Sequence, residues 1–210
     1  MPRPQTVGAG PEAAWARVAD PVGALTRASI DAAVALERPD QVVAVPNMRD
    51  AAVLVPFVAG PDGLELIFVK RGTTAPSHAG EIAFPGGLCD VGDPDPVATA
   101  LREAEEEVGL SRVDVDVIGT LERVSTVATA FRVTPVVSWV GHVGDWEPQP
   151  GEIDAVLRVR VADLVDPLAY HSETWVTPQW EVHFFEIEGE TIWGLTARIL
   201  NGLFRRVFAA

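Results

Sequence analysis

Gly80–Leu110 reads GEIAFPGGLCDVGDPDPVATALREAEEEVGL. A Gly-Gly turn leads into an aspartate-rich loop, and the loop into a helical stretch carrying Arg102, Glu103, Glu106 and Glu107. On a helical wheel Glu103, Glu106 and Glu107 stand at i, i+3 and i+4 and share one face. Val97, Ala100, Leu101, Ala104 and Val108 fall on the opposite side and suit a core. Glu105 lies off the triplet and reads as a solvated bystander. The helix limits are legible as well. Asp95 is an N-cap, Pro96 fits the first helical position, and Gly109 takes the left-handed turn at the end.

Three carboxylates on one face repel one another, so a fold tolerates them better where a cation neutralises them. Their hard oxygens suit Mg²⁺ or Mn²⁺, which bind through a few carboxylates together with substrate phosphates. Taken alone, an acidic helix face is more often simply solvated. The residues before it decide for the first reading.

Gly87–Leu110 resembles the Nudix box, G-x5-E-x7-R-E-U-x-E-E-x-G-U with U aliphatic. Gly87, Arg102, Glu103, Glu106, Glu107, Gly109 and Leu110 match in order. Asp93 stands for the first glutamate, with eight residues rather than seven between it and Arg102, and Ala104 is a small aliphatic. That variant is similar to the coenzyme A pyrophosphatase branch, whose signature before the box is roughly L-L-T-x-R-S-x3-R-x3-G-x3-F-P-G-G. In LIFVKRGTTAPSHAGEIAFPGG, Arg71, Gly80, Phe84, Pro85, Gly86 and Gly87 match, Gly72 replaces the serine, and Pro76 stands at the second arginine. Ile192–Leu203 also resembles the end of proteins in this branch, so the likeness runs from about Arg49 to Leu203.

The resemblance implies an α+β fold, a Nudix-type α/β/α sandwich with a mixed sheet. It implies hydrolysis of a phosphoanhydride in a nucleoside diphosphate linked to another moiety, with coenzyme A and its derivatives first. Alternatives are ADP-ribose, NADH or a nucleoside triphosphate, and, from another class, a catalytically silent ligand-binding module. Glu103, Glu106 and Glu107 with the Gly87 carbonyl are the expected ligands of Mg²⁺ or Mn²⁺. Arg102 pairs with Glu106 and orients it. Glu103 and Glu152 are the two candidates for general base. Arg71, His78, Phe84 and Gly86 are the expected substrate contacts. Trp146, Tyr170, Trp175 and Trp180 are aromatics that could stack on an adenine, although most such rings serve a core or its rim.

The 210 residues, 48% hydrophobic and 22% charged, suit one soluble domain. Residues 1–47 read as an N-terminal helical extension and linker, with two short helices split by Pro21, and 48–210 as the Nudix domain. A formal charge of −14 argues against nucleic-acid binding. No run reaches the ~18 apolar residues of a membrane span. The opening MPRPQTVGAGPEAAWARV lacks the apolar core of a signal peptide. The single Cys89 fits a reducing cytoplasm. A small nucleotide-type molecule is therefore the expected partner, with no nucleic acid and no membrane, and a homodimer left open.

Along the domain, Ala51–Val58 and Leu64–Arg71 read as a hairpin across Gly60–Gly63. Val113–Val124 and Phe131–Gly141 read as strands, with Pro135 placing the latter at an edge or bulge. Ala155–Val161 is a strand, Trp180–Ile187 and Thr191–Trp193 a second hairpin, and Leu195–Ala209 a closing amphipathic helix. The absence of βαβ alternation favours α+β over a doubly wound sheet.

Overall fold

The computed structural model describes residues 7–73, 79–126, 130–141, 144, 146–176 and 179–209. The elements run β1 (Val7–Ala9), α1 (Pro21–Ala24), α2 (Arg27–Ala35), β2 (Arg49–Gly60), β3 (Gly63–Arg71), β4 (Ile82–Ala83), β5 (Gly86–Leu88) and α3 (Pro96–Val108). They continue with β6 (Val115–Thr120), β7 (Val124–Thr126), β8 (Phe131–Val140), β9 (Ile153–Arg160), α4 (Val161–Leu164), β10 (Tyr170–Val176), β11 (Gln179–Ile187), β12 (Glu190–Trp193) and α5 (Gly194–Phe208).

The central sheet runs β4-β3-β2-β8-β6, with β9 on β3, β5 on β2 and β7 on β8. β2 and β8 are parallel and the other pairs antiparallel, so the sheet is mixed. β2 and β3 are a hairpin closed at Gly60↔Gly63, and Gly63 has φ 122. This sheet is buried on both faces, which is why β2 and β3 read as almost unbroken apolar runs. On one face Ala52, Leu54, Ile67 and Val69 meet Ala100, Ala104 and Val108 of α3. On the other, Phe57, Leu66 and Phe68 share a core with α2, α5 and the antiparallel sheet β1-β10-β11-β12.

Two sequence expectations are corrected. β8 is central, between β2 and β6, despite Pro135. The β6 register ends at Val136 and the β7 register begins at Val133, so Pro135 falls in the gap between them, where its missing N–H breaks no ladder. The N-terminal region holds two short helices, as expected, but both α1 and α2 follow Pro21 instead of flanking it, and the described residues before Pro21 form no helix. Those residues are nonetheless packed. Trp15 is 1% exposed, edge-on to Phe204 at 5.3 Å and stacked near Phe185. β1 adds a strand to β10, an element not foreseen. Arg206 of α5 donates to the carbonyls of Ala33 and Leu36 and pairs with Glu122, fastening α5 to the end of α2. No helix among the described residues is long and apolar enough to cross a membrane.

Candidate active site

α3 begins and ends where its caps predict. Asp95 accepts the N–H of Ala98 at 2.8 Å, Pro96 opens the first turn, and Gly109 ends the helix with φ 70. Its apolar side lies on the central sheet, so its acidic side meets the loops at the ends of β3, β5 and β9. Burial is graded across that side: Glu106 is exposed, Glu103 half-buried, and Glu107 buried at 2%. Glu105 points away and pairs with Arg112 at 2.9 Å on the surface.

Arg102 is more than a surface ion pair. Its Nε and Nη2 hold both oxygens of Asp93 at 3.2 and 3.0 Å, and Nη2 also donates to the Leu88 carbonyl at 3.0 Å. Nη1 reaches Glu103 at 2.8 Å and Glu106 at 3.1 Å. Asp93 takes a further hydrogen bond from the Thr99 hydroxyl and one from the Asp90 N–H. Hydrogen bonds from Arg102 hold the Asp93 carboxyl well below the usual range, and the carboxylate that accepts them raises the guanidinium in turn. The aspartate that replaces the first glutamate of the box therefore ties the loop to α3 through Arg102.

Glu107 turns inward. It accepts the Gly86 N–H at 2.9 Å, and Arg71 lies 3.6 Å away. Burial pushes its carboxyl up to about 7, against the pull of that N–H and of Arg71. Burial also raises Glu103, against the pull of Arg102.

Glu152 is the residue whose position only folding could show. The Gly72 N–H donates to its carbonyl at 2.7 Å, and the Gln149 N–H of the same loop donates to the Glu107 carbonyl at 2.9 Å. These bonds bring Glu152 beside Arg71, at 3.6 Å. Arg71 so stands between Glu107 and Glu152. Its buried Nε has no hydrogen-bond partner among the described residues, and its Nη1 and Nη2 face Glu107 and Glu152.

The two glycines of the turn are needed for space. A Cβ on Gly86 would lie 2.4 Å from the Ala52 carbonyl oxygen. A Cβ on Gly87 would lie 2.5 Å from Cδ of Glu103 and 2.6 Å from each of its oxygens. Gly87 has no positive φ, so close approach, and not an unusual backbone angle, is what it supplies. Gly87→Ala should keep the fold, because the obstructed group ends a flexible chain, yet lower turnover roughly 10–100-fold by displacing the Glu103 carboxylate. Turnover measured beside a melting curve checks this. Wild-type turnover would show that the gap is not used.

Phe84 is the aromatic expected at the substrate. It is 2% exposed and its ring stacks on Phe68 at 4.8 Å, so it serves the core. Tyr170 is likewise buried, while Trp146 is half-buried with Arg158 at 5.9 Å over its ring. His78 and Pro76 lie outside the described residues.

A divalent cation suits this donor set. Glu103, Glu106 and Glu107 lie on one helix, Glu103 and Glu107 border the Gly86–Gly87 turn, and Glu107 is buried. Among the described residues no three such groups converge closely enough to hold an ion as they stand. The reason is visible, since Arg102 draws Glu103 and Glu106 toward itself while Glu107 bonds to Gly86.

Residues 48–180 match the model of the NUDIX domain. The chain belongs to the Nudix family, whose hydrolases act on nucleoside diphosphate derivatives and use divalent metal ions. It is 36% identical over 163 residues to the uncharacterized Nudix hydrolase NudL of Photorhabdus laumondii, covering 77% of this chain and 86% of that one. It is 38% identical over 167 residues to the protein of the same description from Cronobacter sakazakii, covering 75% and 82%. A MutT/nudix family protein from Enterococcus faecalis shares the fold, with TM-score 0.54 at 14% identity over 81% of this chain and 66% of that one.

Proposed function

We propose that this chain hydrolyses the phosphoanhydride of a nucleoside diphosphate linked to a second moiety, and that coenzyme A or its derivatives are cleaved to 3′,5′-ADP and a 4′-phosphopantetheine species. The observation that carries this reading is the placement of Glu107 and Glu152 on either side of Arg71, with Glu103 and Glu107 bordering the Gly86–Gly87 turn. Coenzyme A rests on the box variant, with Asp93 locked to Arg102, and on the residues before it.

Glu103, Glu106 and Glu107, with the Gly87 carbonyl, would hold Mg²⁺ or Mn²⁺. Such an ion, when bound, offsets the charge of the diphosphate oxygens and makes water more acidic. Arg71 would offer its guanidinium Nη donors to a phosphate oxygen. Arg102 restricts Glu103 and Glu106 to a few orientations, so less entropy is lost when a ligand engages them. Of the two candidates for base, Glu152 fits better. Glu103 is held by Arg102 at 2.8 Å, whereas Glu152 is half exposed and open to water. In the step inferred, a water oxygen bonds to phosphorus, the bridging P–O bond breaks, and the proton passes to Glu152. Two phosphomonoesters leave.

Coenzyme A, ADP-ribose, NADH and deoxynucleoside triphosphates, each incubated with Mg²⁺, Mn²⁺ or a chelator, test the proposal when products are weighed by mass spectrometry. Cleavage of the diphosphate link, abolished by the chelator, is expected. No cleavage of any of them would make the chain a binding module. Discrimination between coenzyme A and dephospho-coenzyme A should be weak, because Pro76 stands where the signature has a phosphate-binding arginine. A charged contact of that kind contributes roughly 1.5–3 kcal/mol. A kcat/KM ratio well above tenfold in favour of coenzyme A would show that another cation reads the 3′-phosphate.

A further inference from the structure

Glu152 is a surface carboxylate whose place is not set by its own packing. Its side chain is 47% exposed, yet it stands 3.6 Å from Arg71. Its position therefore comes from the backbone that carries it. That backbone, residues 146–152, is held at both ends by apolar burial. Trp146 packs against the core on the α3 side of the central sheet, and Ile153, 4% exposed, belongs to that core. The Trp146 ring also lies beside Arg158 of β9, whose guanidinium carbon is 5.9 Å from the ring centroid. Arg158 is fixed in turn, because its Nε donates to the buried Glu65 carboxylate at 2.6 Å. The segment so folds back on the strand that follows it, a short loop packed by its own side chains.

Between those ends the hydrogen bonds converge on Gln149. Pro148 and Pro150 have no N–H. Gln149 thus supplies the one backbone donor of three consecutive residues, and it goes to the Glu107 carbonyl at 2.9 Å. The Gln149 carbonyl accepts from the N–H of Glu152 at 3.3 Å and of Ile153 at 3.1 Å, across a turn in which Gly151 has φ 86. The Gly72 N–H then closes on the Glu152 carbonyl at 2.7 Å. Here the β3–β9 register shifts between Lys70 and Arg71, and Arg71 stands opposite Ile153. A bulge of this kind re-aims a strand beside a site. The fit is close, since a Cβ on Gly72 would lie 3.1 Å from the Glu152 carbonyl oxygen. All these bonds are made by backbone, and Trp146 is the large apolar side chain that ties the stretch to the core.

We propose that Trp146 is a positioning residue: seated between Arg158 and the α3-side core, it holds residues 146–152 so that the Glu152 carboxylate stays at Arg71. The role rests on Glu152 as the base, and the test separates the two. Turnover is measured for Trp146→Leu, Trp146→Phe, Glu152→Gln and the double variant Trp146→Leu with Glu152→Gln. Backbone amide exchange is followed by NMR in the same proteins, without divalent ions. Trp146→Leu should lower kcat roughly 10–100-fold, the cost of a displacement on the order of an ångström. KM should change little, because Arg71 and α3 keep their places. Trp146→Phe, which retains a ring for Arg158 and the core, should recover most of the loss. In the double variant the loss of Trp146 should add little to that of Glu152→Gln, because both act through one carboxylate. The Gly72 and Gln149 amides should exchange faster in Trp146→Leu while those of β2 and β8 stay protected. Trp146→Met takes its place if Trp146→Leu does not fold. Losses that multiply in the double variant, unchanged kcat, or unchanged exchange at Gly72 and Gln149 would overturn the proposal. Wild-type kcat in Glu152→Gln removes Glu152 as base and overturns it too, while diphosphate hydrolysis stands. If nothing is cleaved but Gly72 and Gln149 lose protection in Trp146→Leu, the diphosphatase reading fails and the anchoring of Glu152 by Trp146 stands.

Discussion

Glu107→Gln should lower turnover on the order of 10²-fold or more and, in metal-free protein above neutral pH, raise stability. The two effects have one cause. Glu107 is 2% exposed, and burial pushes its carboxyl up to about 7 from an unfolded value of 4.5. A folded state that keeps a proton the unfolded chain has already released loses stability as pH rises from about 4.5 through 7. A shift of that size corresponds to about 3 kcal/mol, fully lost above the folded value. Glutamine is neutral, is nearly the same shape, and can still accept the Gly86 N–H. The variant should therefore match the wild type near pH 4 and exceed it by up to about 3 kcal/mol at pH 8. Saturating Mg²⁺ should stabilise the wild type at pH 8 and the variant much less, since a ligand charge has gone. Denaturant melts at four pH values, with and without Mg²⁺, alongside kcat, give the answer. Near-wild-type turnover in saturating Mg²⁺ would remove Glu107 from the metal site. A pH-independent stability difference would show that its charge is not what burial penalises.

His183 should govern the acid limb, with the opposite sign. Its ring is 6% exposed, with Tyr170 Oη 2.9 Å from Nδ1 and Asn201 Nδ2 3.2 Å from Nε2. Burial, together with Arg198 and Arg205, pushes it down to about 4 from 6.5. Here the unfolded chain binds the proton first. Stability is present above about 6.5 and is lost as pH falls through 4, by about 3 kcal/mol. His183→Gln should flatten that limb without altering the response to Mg²⁺. Because Glu107 and His183 oppose each other between about pH 4.5 and 6.5, the wild-type curve there should be nearly flat, and each variant should uncover the slope of the other residue. An acid limb unchanged in His183→Gln would assign acid unfolding to other groups.

Local chemistry written in consecutive residues was legible without coordinates. Asp95, Pro96 and Gly109 bound α3 because caps depend on residues within one turn of the helix. The 3.6-residue period separated Glu103, Glu106 and Glu107 from the apolar stripe. Both hairpins were visible in their turn residues and alternation. The box residues were sufficient for the family, since they lie close together in the chain.

What depended on distant contacts was not legible. Pro135 suggested an edge, but β8 is central because two separate strands share its far side and leave the proline between them. Phe84 sits in a motif associated with the substrate, yet stacks on Phe68, a choice made by packing across strands. Trp15, far outside the box, is a core residue because β10, β11 and α5 surround it. The pairing of Asp93 with Arg102 could have been suspected, since a shorter acid after a longer loop still reaches an arginine on the next helix. Glu152 could not, because its place at Arg71 is fixed by hydrogen bonds from Gly72 and Gln149. The sequence by itself determined the helix, its acidic face and the family. The tertiary structure decided which carboxylate is buried and which remains open to water, because burial depends on what the rest of the chain lays over each residue.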